Sequence, residues 1–346
     1  MEKKAFAKKI AIWAVMLSVL LILAYFVDWK GTYTVIRKGS PYYIGAAVLI
    51  TLLRFIIWAY KWRKTISPLA EISLPNVFAI LMAGVFLNQI TPGRDTGGEP
   101  VRAYYVSKYT GMKKSQALAT IMLDKSGNYI AVGFFIGFSV LFITLFMNIP
   151  SSVKILVEGA LLISILGAVS AVYVKKNVQL PGLPARILRK IYYLGPLETV
   201  RERFSTYASF EGYIMERITD FVTTFRELLR DRKNVRDNLV LSFLIWIMVF
   251  VQTYLVFLSF GQGVSIYLVT AVEAISILLG LVSFMPGGVG ASEVAMITLF
   301  RSAGISVEIA TAVTIVSRGI YYAFSFGLGY MAFLYLKLTS GGERDA

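Results

Sequence analysis

NQITPGRDTGGEPVRAYY, residues 88–105, is the stretch of sequence that decides the fold of this chain. It interrupts an apolar segment at 75–91 with Pro92-Gly93 and then resumes as a short helix-like run. Proline ends a helix, and glycine lets the backbone turn. A second helix is predicted to begin near Gly98-Glu99-Pro100, because proline is favoured at the first position of a helix. The stretch therefore predicts a hairpin of two short helices.

A second stretch, SFMPGGVGASE at residues 283–293, repeats the pattern in the other half of the chain. In each half a glutamate, Glu99 or Glu293, lies seven residues after the proline of a Pro-Gly pair. A cation follows, with Lys125 26 residues past Glu99 and Arg318 25 residues past Glu293. Interrupted helices at equivalent places in two halves are typical of transporters built from inverted repeats.

Composition places the chain in a membrane. Hydrophobic residues make up 57% and charged residues 16% of its 346 residues, and the mean hydropathy is +0.67. Cysteine and histidine are both absent, which excludes disulfides and thiolate or imidazole metal sites. The net charge is +15, and the basic residues flank apolar runs. We therefore attribute the basic charge to membrane topology and to contact with anionic lipids, and we expect no nucleic-acid partner.

The apolar runs predict an all-α polytopic membrane protein with about six transmembrane helices plus two oppositely oriented re-entrant hairpins, which together form an inverted repeat. A span needs roughly 20 apolar residues. The predicted spans are 10–27, 42–60, 129–149, 153–174, 238–260 and 319–336, and the predicted hairpins are 75–107 and 265–303.

Lysine and arginine set the predicted orientation. The segment 175–237 carries 13 basic residues against 8 acidic ones, so the positive-inside rule places it in the cytoplasm. The first hairpin then enters from the cytoplasmic side and the second from outside, with both termini cytoplasmic and the protein in the cell membrane. The predicted divisions are a basic N-terminal segment with the first span at 1–41, a first repeat half at 42–174, a cytoplasmic helical linker at 175–237 and a second repeat half at 238–346.

The first hairpin is the candidate anion site. The N–H groups and dipole at the start of its second helix favour a phosphate, and Arg94 and Arg102 could add bidentate contacts. Glu99 is equally well explained as an internal partner of a cation that fixes the hairpin. The glycines of the second turn, which has no arginine, allow either close backbone approach to a ligand or tight helix packing.

Asp124, Lys125 and Arg318 are predicted to lie at the entry of long apolar helices, where ionisable residues usually face the bundle interior. The pairs Glu99–Lys125 and Glu293–Arg318 are open as internal ion pairs or as ligand contacts. Glu273 is a weaker candidate for coupling to an ion. No functional role is predicted for Arg54.

The stretches 88–105 and 283–293 resemble the transmembrane region of lysylphosphatidylglycerol synthase. This flippase-like family also occurs without the synthase domain. The resemblance spans roughly 45–335 and implies a helical domain that moves a lipid between leaflets. The site positions carried over by motif are Asn88, Pro92, Arg94, Gly98, Glu99, Arg102, Asp124, Lys125, Pro286, Gly287, Gly288, Glu293 and Arg318. The family more often has arginine where this chain has Lys125.

The sequence therefore predicts a translocase for a lipid with an anionic or phosphate-bearing headgroup. It predicts neither an enzymatic activity nor a cofactor. A second copy of the chain, or an enzyme that makes the lipid, is open as a partner. One alternative is a secondary transporter of a small anionic solute. Another is a membrane-embedded enzyme acting on a lipid-linked phosphate or sugar, with Asp95, Glu99 and Asp124 as carboxylates for Mg²⁺.

Overall fold

The structure, a computed structural model, describes residues 29–91, 97–146, 206–283 and 285–341, with isolated positions at 155, 159, 162, 189, 192 and 204. These residues are almost entirely helical and contain no β-strand, which confirms the predicted all-α class. The predicted spans 10–27 and 153–174 lie outside the described residues, apart from three isolated positions in the second.

The continuous described ranges form α-helices, a 3₁₀ turn and a π-helical segment. In chain order they are α1 (Trp29–Arg37), α2 (Pro41–Ile66), α3 (Leu74–Ile90), α4 (Gly98–Thr110), α5 (Lys114–Phe146), α6 (Tyr207–Arg230), α7 (Arg232–Ser259), α8 (Ile266–Val282), a 3₁₀ turn (Pro286–Gly288), α9 (Ala291–Ser302), α10 (Val307–Tyr322), a π-helical segment (Ala323–Leu328) and α11 (Gly329–Gly341).

Four continuous helical stretches are long and apolar enough to cross a membrane: α2, α5, α7 and Val307–Thr339. At 1.5 Å per residue, even the shortest, α2 with 26 residues, is about 39 Å long and exceeds the roughly 30 Å hydrocarbon core. The chain is thus a multi-pass membrane protein.

Two of the predicted span boundaries are wrong. The span predicted at 129–149 begins at Lys114, and the span predicted at 319–336 is part of a helix that begins at Val307. Asp124, Lys125 and Arg318 therefore lie well inside helices rather than at their entries. Their charges do not end the helices, because other side chains compensate them.

The first predicted hairpin is present as α3 and α4. Ser73 caps α3 by accepting a hydrogen bond from the Asn76 N–H, and Thr91 is already extended. The two helices approach each other closely where Gly84 of α3 meets Gly98 of α4. A Cβ atom on Gly98 would overlap the Gly84 backbone, so this crossing requires glycine.

The second predicted hairpin is α8, the 3₁₀ turn and α9. Gly288 has a φ of +72°, and a Cβ there would lie 2.9 Å from the Gly280 carbonyl oxygen. This turn therefore needs a glycine both for its backbone conformation and for the approach of α8.

The two hairpins meet at their tips. The Gln89 side chain, at the end of α3, lies against Gly287 of the 3₁₀ turn and donates a hydrogen bond to the Tyr321 hydroxyl at 2.7 Å. In each half a hairpin is followed by a long helix, α5 or α10. Hairpins that enter from opposite sides would touch in this way.

Within the predicted helical linker 175–237 lies α6, which packs on α5 through a small cluster that includes Leu228, Ala119 and Leu123. Lys113 donates to Asp220 at 2.8 Å and to Glu216 at 3.3 Å. These hydrogen bonds raise the pKa of the exposed Lys113 ammonium. The helix α6 of the segment 175–237 is therefore held against the first half by apolar packing and by hydrogen bonds from Lys113.

The positive-inside layout predicts that α6 is cytoplasmic and that Gly261–Val264 is outside. The chain contains no cysteine, so Ser209→Cys and Gln262→Cys each carry a single thiol. With a membrane-impermeant maleimide on intact cells, we expect labelling of Gln262→Cys and no labelling of Ser209→Cys. Labelling of Ser209→Cys from outside would contradict the layout.

The α3–α4 crossing predicts that Gly98→Ala lowers the melting temperature in detergent. The new methyl group overlaps the Gly84 backbone, and overpacking of this kind costs about 1–3 kcal/mol. Gly133→Ala in α5 is the matched control, because a Cβ there meets nothing within 4 Å. Equal melting temperatures for the two variants would contradict the proposed role of the crossing.

Candidate functional site

A single cavity lies between α2, α3, α4, α5, α7, α8 and α10, where the two halves meet. Its volume is 160 Å³. The charged residues that line it are Arg54, Glu99, Arg102, Lys125, Glu273 and Arg318. The rest of its wall is mostly apolar, and includes Phe55, Leu81, Val85, Val132, Ile136, Ile245, Val249, Ile277 and Leu278.

The start of α4 is held by Asn88. The Asn88 side-chain oxygen accepts a hydrogen bond from the Gly98 N–H at 2.7 Å, and its amide donates to Glu99 Oε1 at 3.3 Å. Lys125 Nζ lies 2.7 Å from the same Glu99 oxygen, so the two side chains form an ion pair, one of the two possibilities that the sequence leaves open. Asn88 thus satisfies a backbone N–H that the α3–α4 turn would otherwise leave without an acceptor.

Asp124 is the most heavily engaged side chain of the site. It is fully buried, and its two carboxylate oxygens lie 3.0 Å from Lys61 Nζ and 3.0 Å from Arg102 Nη2. The Trp58 indole N–H also donates to it, at 3.1 Å. One carboxylate therefore serves two buried cations, and this cluster carries one excess positive charge.

Arg102 was predicted as a direct phosphate ligand, whereas the structure pairs it with Asp124 and lays it over the Trp62 ring at 3.9 Å. Only 2% of the residue is exposed. It still lines the cavity, and its Nε has no hydrogen-bond partner among the described residues. The guanidinium is thus held by Asp124 and Trp62, and its Nε–H is a buried donor without an acceptor among the described residues.

Sequence reasoning missed Lys61 and Trp58. Lys61 was interpreted as a basic residue at the cytoplasmic end of a span, yet it is 1% exposed and also donates to Ser242 at 2.9 Å. The available signal was helical spacing. Arg54, Trp58 and Lys61 follow each other at intervals of four and three, which places them on one face of α2.

Arg318 holds the second cluster together. The predicted Glu293–Arg318 pair is loose, at 3.9 Å, while Glu273 lies 3.0 Å from Arg318 Nη2. Glu273 is thus the nearer partner and also accepts from the Thr253 hydroxyl, at 2.5 Å. Glu293 instead accepts from the Gly290 N–H at 2.5 Å and the Tyr322 hydroxyl at 2.8 Å.

The other predicted positions separate into two groups. Gly287 and Gly288 form the 3₁₀ turn with Pro286 and do not line the cavity; they shape the second hairpin instead. Pro92 and Arg94 lie outside the described residues. Arg54, which received no role, lines the cavity with its guanidinium 5.5 Å from the centre of the Tyr321 ring.

Two side chains of the cavity lining are also partly exposed on the surface of the described helices. Tyr129, near the middle of α5, and Leu281, at the end of α8, both line it. Tyr129 is 47% exposed and Leu281 39% exposed on helices whose outer faces are apolar. Two residues of the cavity wall thus also contribute to the apolar surface of these helices.

Known proteins are similar in sequence to this chain over most of its length. The family profile of the lysylphosphatidylglycerol synthase transmembrane region matches residues 9–329. The chain is 25% identical to a UPF0104 membrane protein of Methanothermobacter thermautotrophicus over 87% of each chain. It is 27% identical to those of Pyrococcus horikoshii, over 90% of this chain and 92% of the relative, and of Methanocaldococcus jannaschii, over 93% and 92%.

The shared carboxylate predicts a large cost for Asp124→Asn. The change leaves Lys61 and Arg102 buried without a counter-charge, and breaking a buried pair typically costs about 3–5 kcal/mol. We expect a fall in melting temperature larger than that for Glu99→Gln, whose pair with Lys125 is 12–14% exposed.

The double variant Glu99→Gln/Lys125→Met is the companion measurement. It removes both members of a pair, so we expect it to be more stable than the sum of the two single changes predicts. Additive losses, or an Asp124→Asn variant as stable as the parent, would contradict these charge assignments.

Proposed function

This chain belongs to the family of the lysylphosphatidylglycerol synthase transmembrane region, and on that premise we propose that it moves a lipid with an anionic or phosphate-bearing headgroup between leaflets. One observation carries the proposal. A cavity with cations and a mostly apolar wall includes Tyr129 and Leu281, whose side chains are also partly exposed on the surface of their helices. A lipid has the same two parts, a charged headgroup and an apolar chain.

The headgroup would bind at the α2–α4 side of the cavity. The cluster of Lys61, Arg102 and Asp124 carries one excess positive charge, which favours an anion in a site with little water. Asp124 and Trp62 already orient Arg102. Little side-chain entropy would therefore be lost if its Nε–H, which has no acceptor among the described residues, bound a phosphate oxygen.

The exposed positions of Tyr129 and Leu281 favour a lipid over a small solute. A solute transporter needs a polar cavity closed to hydrocarbon, whereas a translocase needs a side opening for the chains. The enzyme alternative has less support. Of its three carboxylates, Glu99 is paired with Lys125, Asp124 is occupied by Lys61 and Arg102, and Asp95 lies outside the described residues.

We further propose that the protein acts in the cell membrane with both termini in the cytoplasm, as its basic segments favour. In this proposal it is not an enzyme. The partner is the membrane lipid itself, and a second copy of the chain or the enzyme that makes the lipid remains a hypothesis.

The test uses proteoliposomes with labelled phosphatidylglycerol, a labelled polyprenyl phosphate and a labelled uncharged diacylglycerol analogue. Arg102→Gln is the informative variant, because it leaves Lys61 and Asp124 as a balanced pair. A charge-assisted hydrogen bond is worth about 1.5–3 kcal/mol, so we expect its loss to weaken binding of the anionic lipids by roughly 10- to 150-fold. Lys113→Gln removes an exposed cation outside the cavity and should behave like the parent.

Leu281→Trp separates translocation from binding. The larger side chain narrows the side opening, so we expect slower translocation with headgroup binding retained. If Arg102→Gln binds and moves every anionic lipid as well as the parent does, the proposed headgroup site is wrong. The solute-transporter hypothesis is then favoured.

A further inference from the structure

The cluster around Arg318 has more carboxylates than cations. Arg318 on α10 is shared by Glu273 of α8 at 3.0 Å and Glu293 of α9 at 3.9 Å. All three side chains are 2–16% exposed. The cluster therefore carries one excess negative charge, the opposite of the cluster around Asp124, whose Arg102 lines the same cavity.

The two carboxylates depend on Arg318 to different degrees. Glu293 has a backbone donor, the Gly290 N–H, on one oxygen and the Tyr322 hydroxyl on the other, both independent of Arg318. Glu273 has only the Thr253 hydroxyl and Arg318 itself among the described residues. If Arg318 turned away, Glu293 would keep two donors, while Glu273 would be left with one.

Arg318 faces the same cavity as Arg102 and would give the phosphate of the bound headgroup a second cationic contact there. Glu273 competes for the same guanidinium, and it also lines the cavity, where its charge repels a phosphate. A carboxylate that is 2% exposed and loses its cation is strongly destabilised unless it takes up a proton. Protonation of Glu273 removes the competitor, the repulsion and the uncompensated charge together.

We propose that Glu273 is the coupling group of the translocase. It takes up one proton from water when an anionic headgroup occupies Arg318, and returns that proton to water when the headgroup leaves. The inference rests on the proposed function. It adds that a proton gradient is the driving force and that one proton is coupled to one headgroup.

Other groups on the packed elements do not replace Glu273 in this role. The titratable and charged groups that face the cavity are Arg54 on α2, Glu99 and Arg102 on α4, Lys125 and Tyr129 on α5 and Tyr321 on α10. Among these the one other carboxylate is Glu99, and it lies 2.7 Å from Lys125, a cation that the displacement of Arg318 does not disturb.

A proton fits this position better than a metal cation. Hard cations take roughly six or more oxygen ligands, and the described residues hold no group of three or more Asp, Glu, His or Cys side chains arranged for a metal. Both Glu273 oxygens already accept a hydrogen bond, at 2.5 Å and 3.0 Å. A proton needs only one of those oxygens once Arg318 has moved.

The experiment measures proton uptake directly. Short-chain phosphatidylglycerol is added to the detergent-solubilised protein in weakly buffered solution with a pH indicator. We expect about one proton taken up per lipid bound, and lipid affinity that rises by up to about tenfold per unit of falling pH. Glu273→Gln should bind the lipid with no proton uptake and no such pH dependence. In proteoliposomes, a pH gradient should change the translocation rate of the parent but not of Glu273→Gln.

Glu308→Gln is the matched control, because it removes a carboxylate from the first turn of the same helix as Arg318, away from the cavity. It should keep the uptake. If the parent binds and moves the lipid without taking up a proton, the coupling is wrong and the proposed function stands. Loss of uptake in Glu293→Gln but not in Glu273→Gln also overturns it. If the parent binds no lipid, both proposals fall. The parent measurement decides even if Glu273→Gln does not fold.

Discussion

The fully buried carboxylate of Asp124 is the constraint on which the first half of the structure depends. It joins α5 to α2 through Lys61 and to α4 through Arg102. A charge inside a membrane protein is tolerated when it is paired and hydrogen-bonded. One acidic side chain thus allows two basic ones to be buried among apolar helices, and one of the two, Arg102, also lines the cavity.

The two halves share an order of elements but not a charge balance. Each has a hairpin, a glutamate near the start of the second short helix and a cation on the following long helix. In the first half that glutamate is closely paired; in the second half the arginine turns toward Glu273 instead. The repeat therefore supplies a common scaffold, while residues outside the repeated pattern set the charge of each side.

Much of this arrangement follows from local sequence. The hairpins and the Glu99–Lys125 pair could be predicted, since proline and glycine mark turns wherever they occur and since the chain repeats itself. The Lys61–Asp124 contact could not, because 63 residues and two hairpin helices separate its members. Glu273 was underestimated because the repeat pointed to Glu293 as the partner of Arg318. The helix starts at Lys114 and Val307 were missed because a charged residue normally ends an apolar run, unless tertiary contacts neutralise it.

The contact between the hairpin tips has a kinetic consequence. Gln89 is bonded to Tyr321, one turn from Arg318, and its neighbour Asn88 holds the start of the helix that carries Glu99. A displacement of the first hairpin is therefore transmitted to the helix that carries the second cluster. In the proposed translocase, this hydrogen bond would couple a movement of the first hairpin to the helix of Arg318, so that the two binding regions change together.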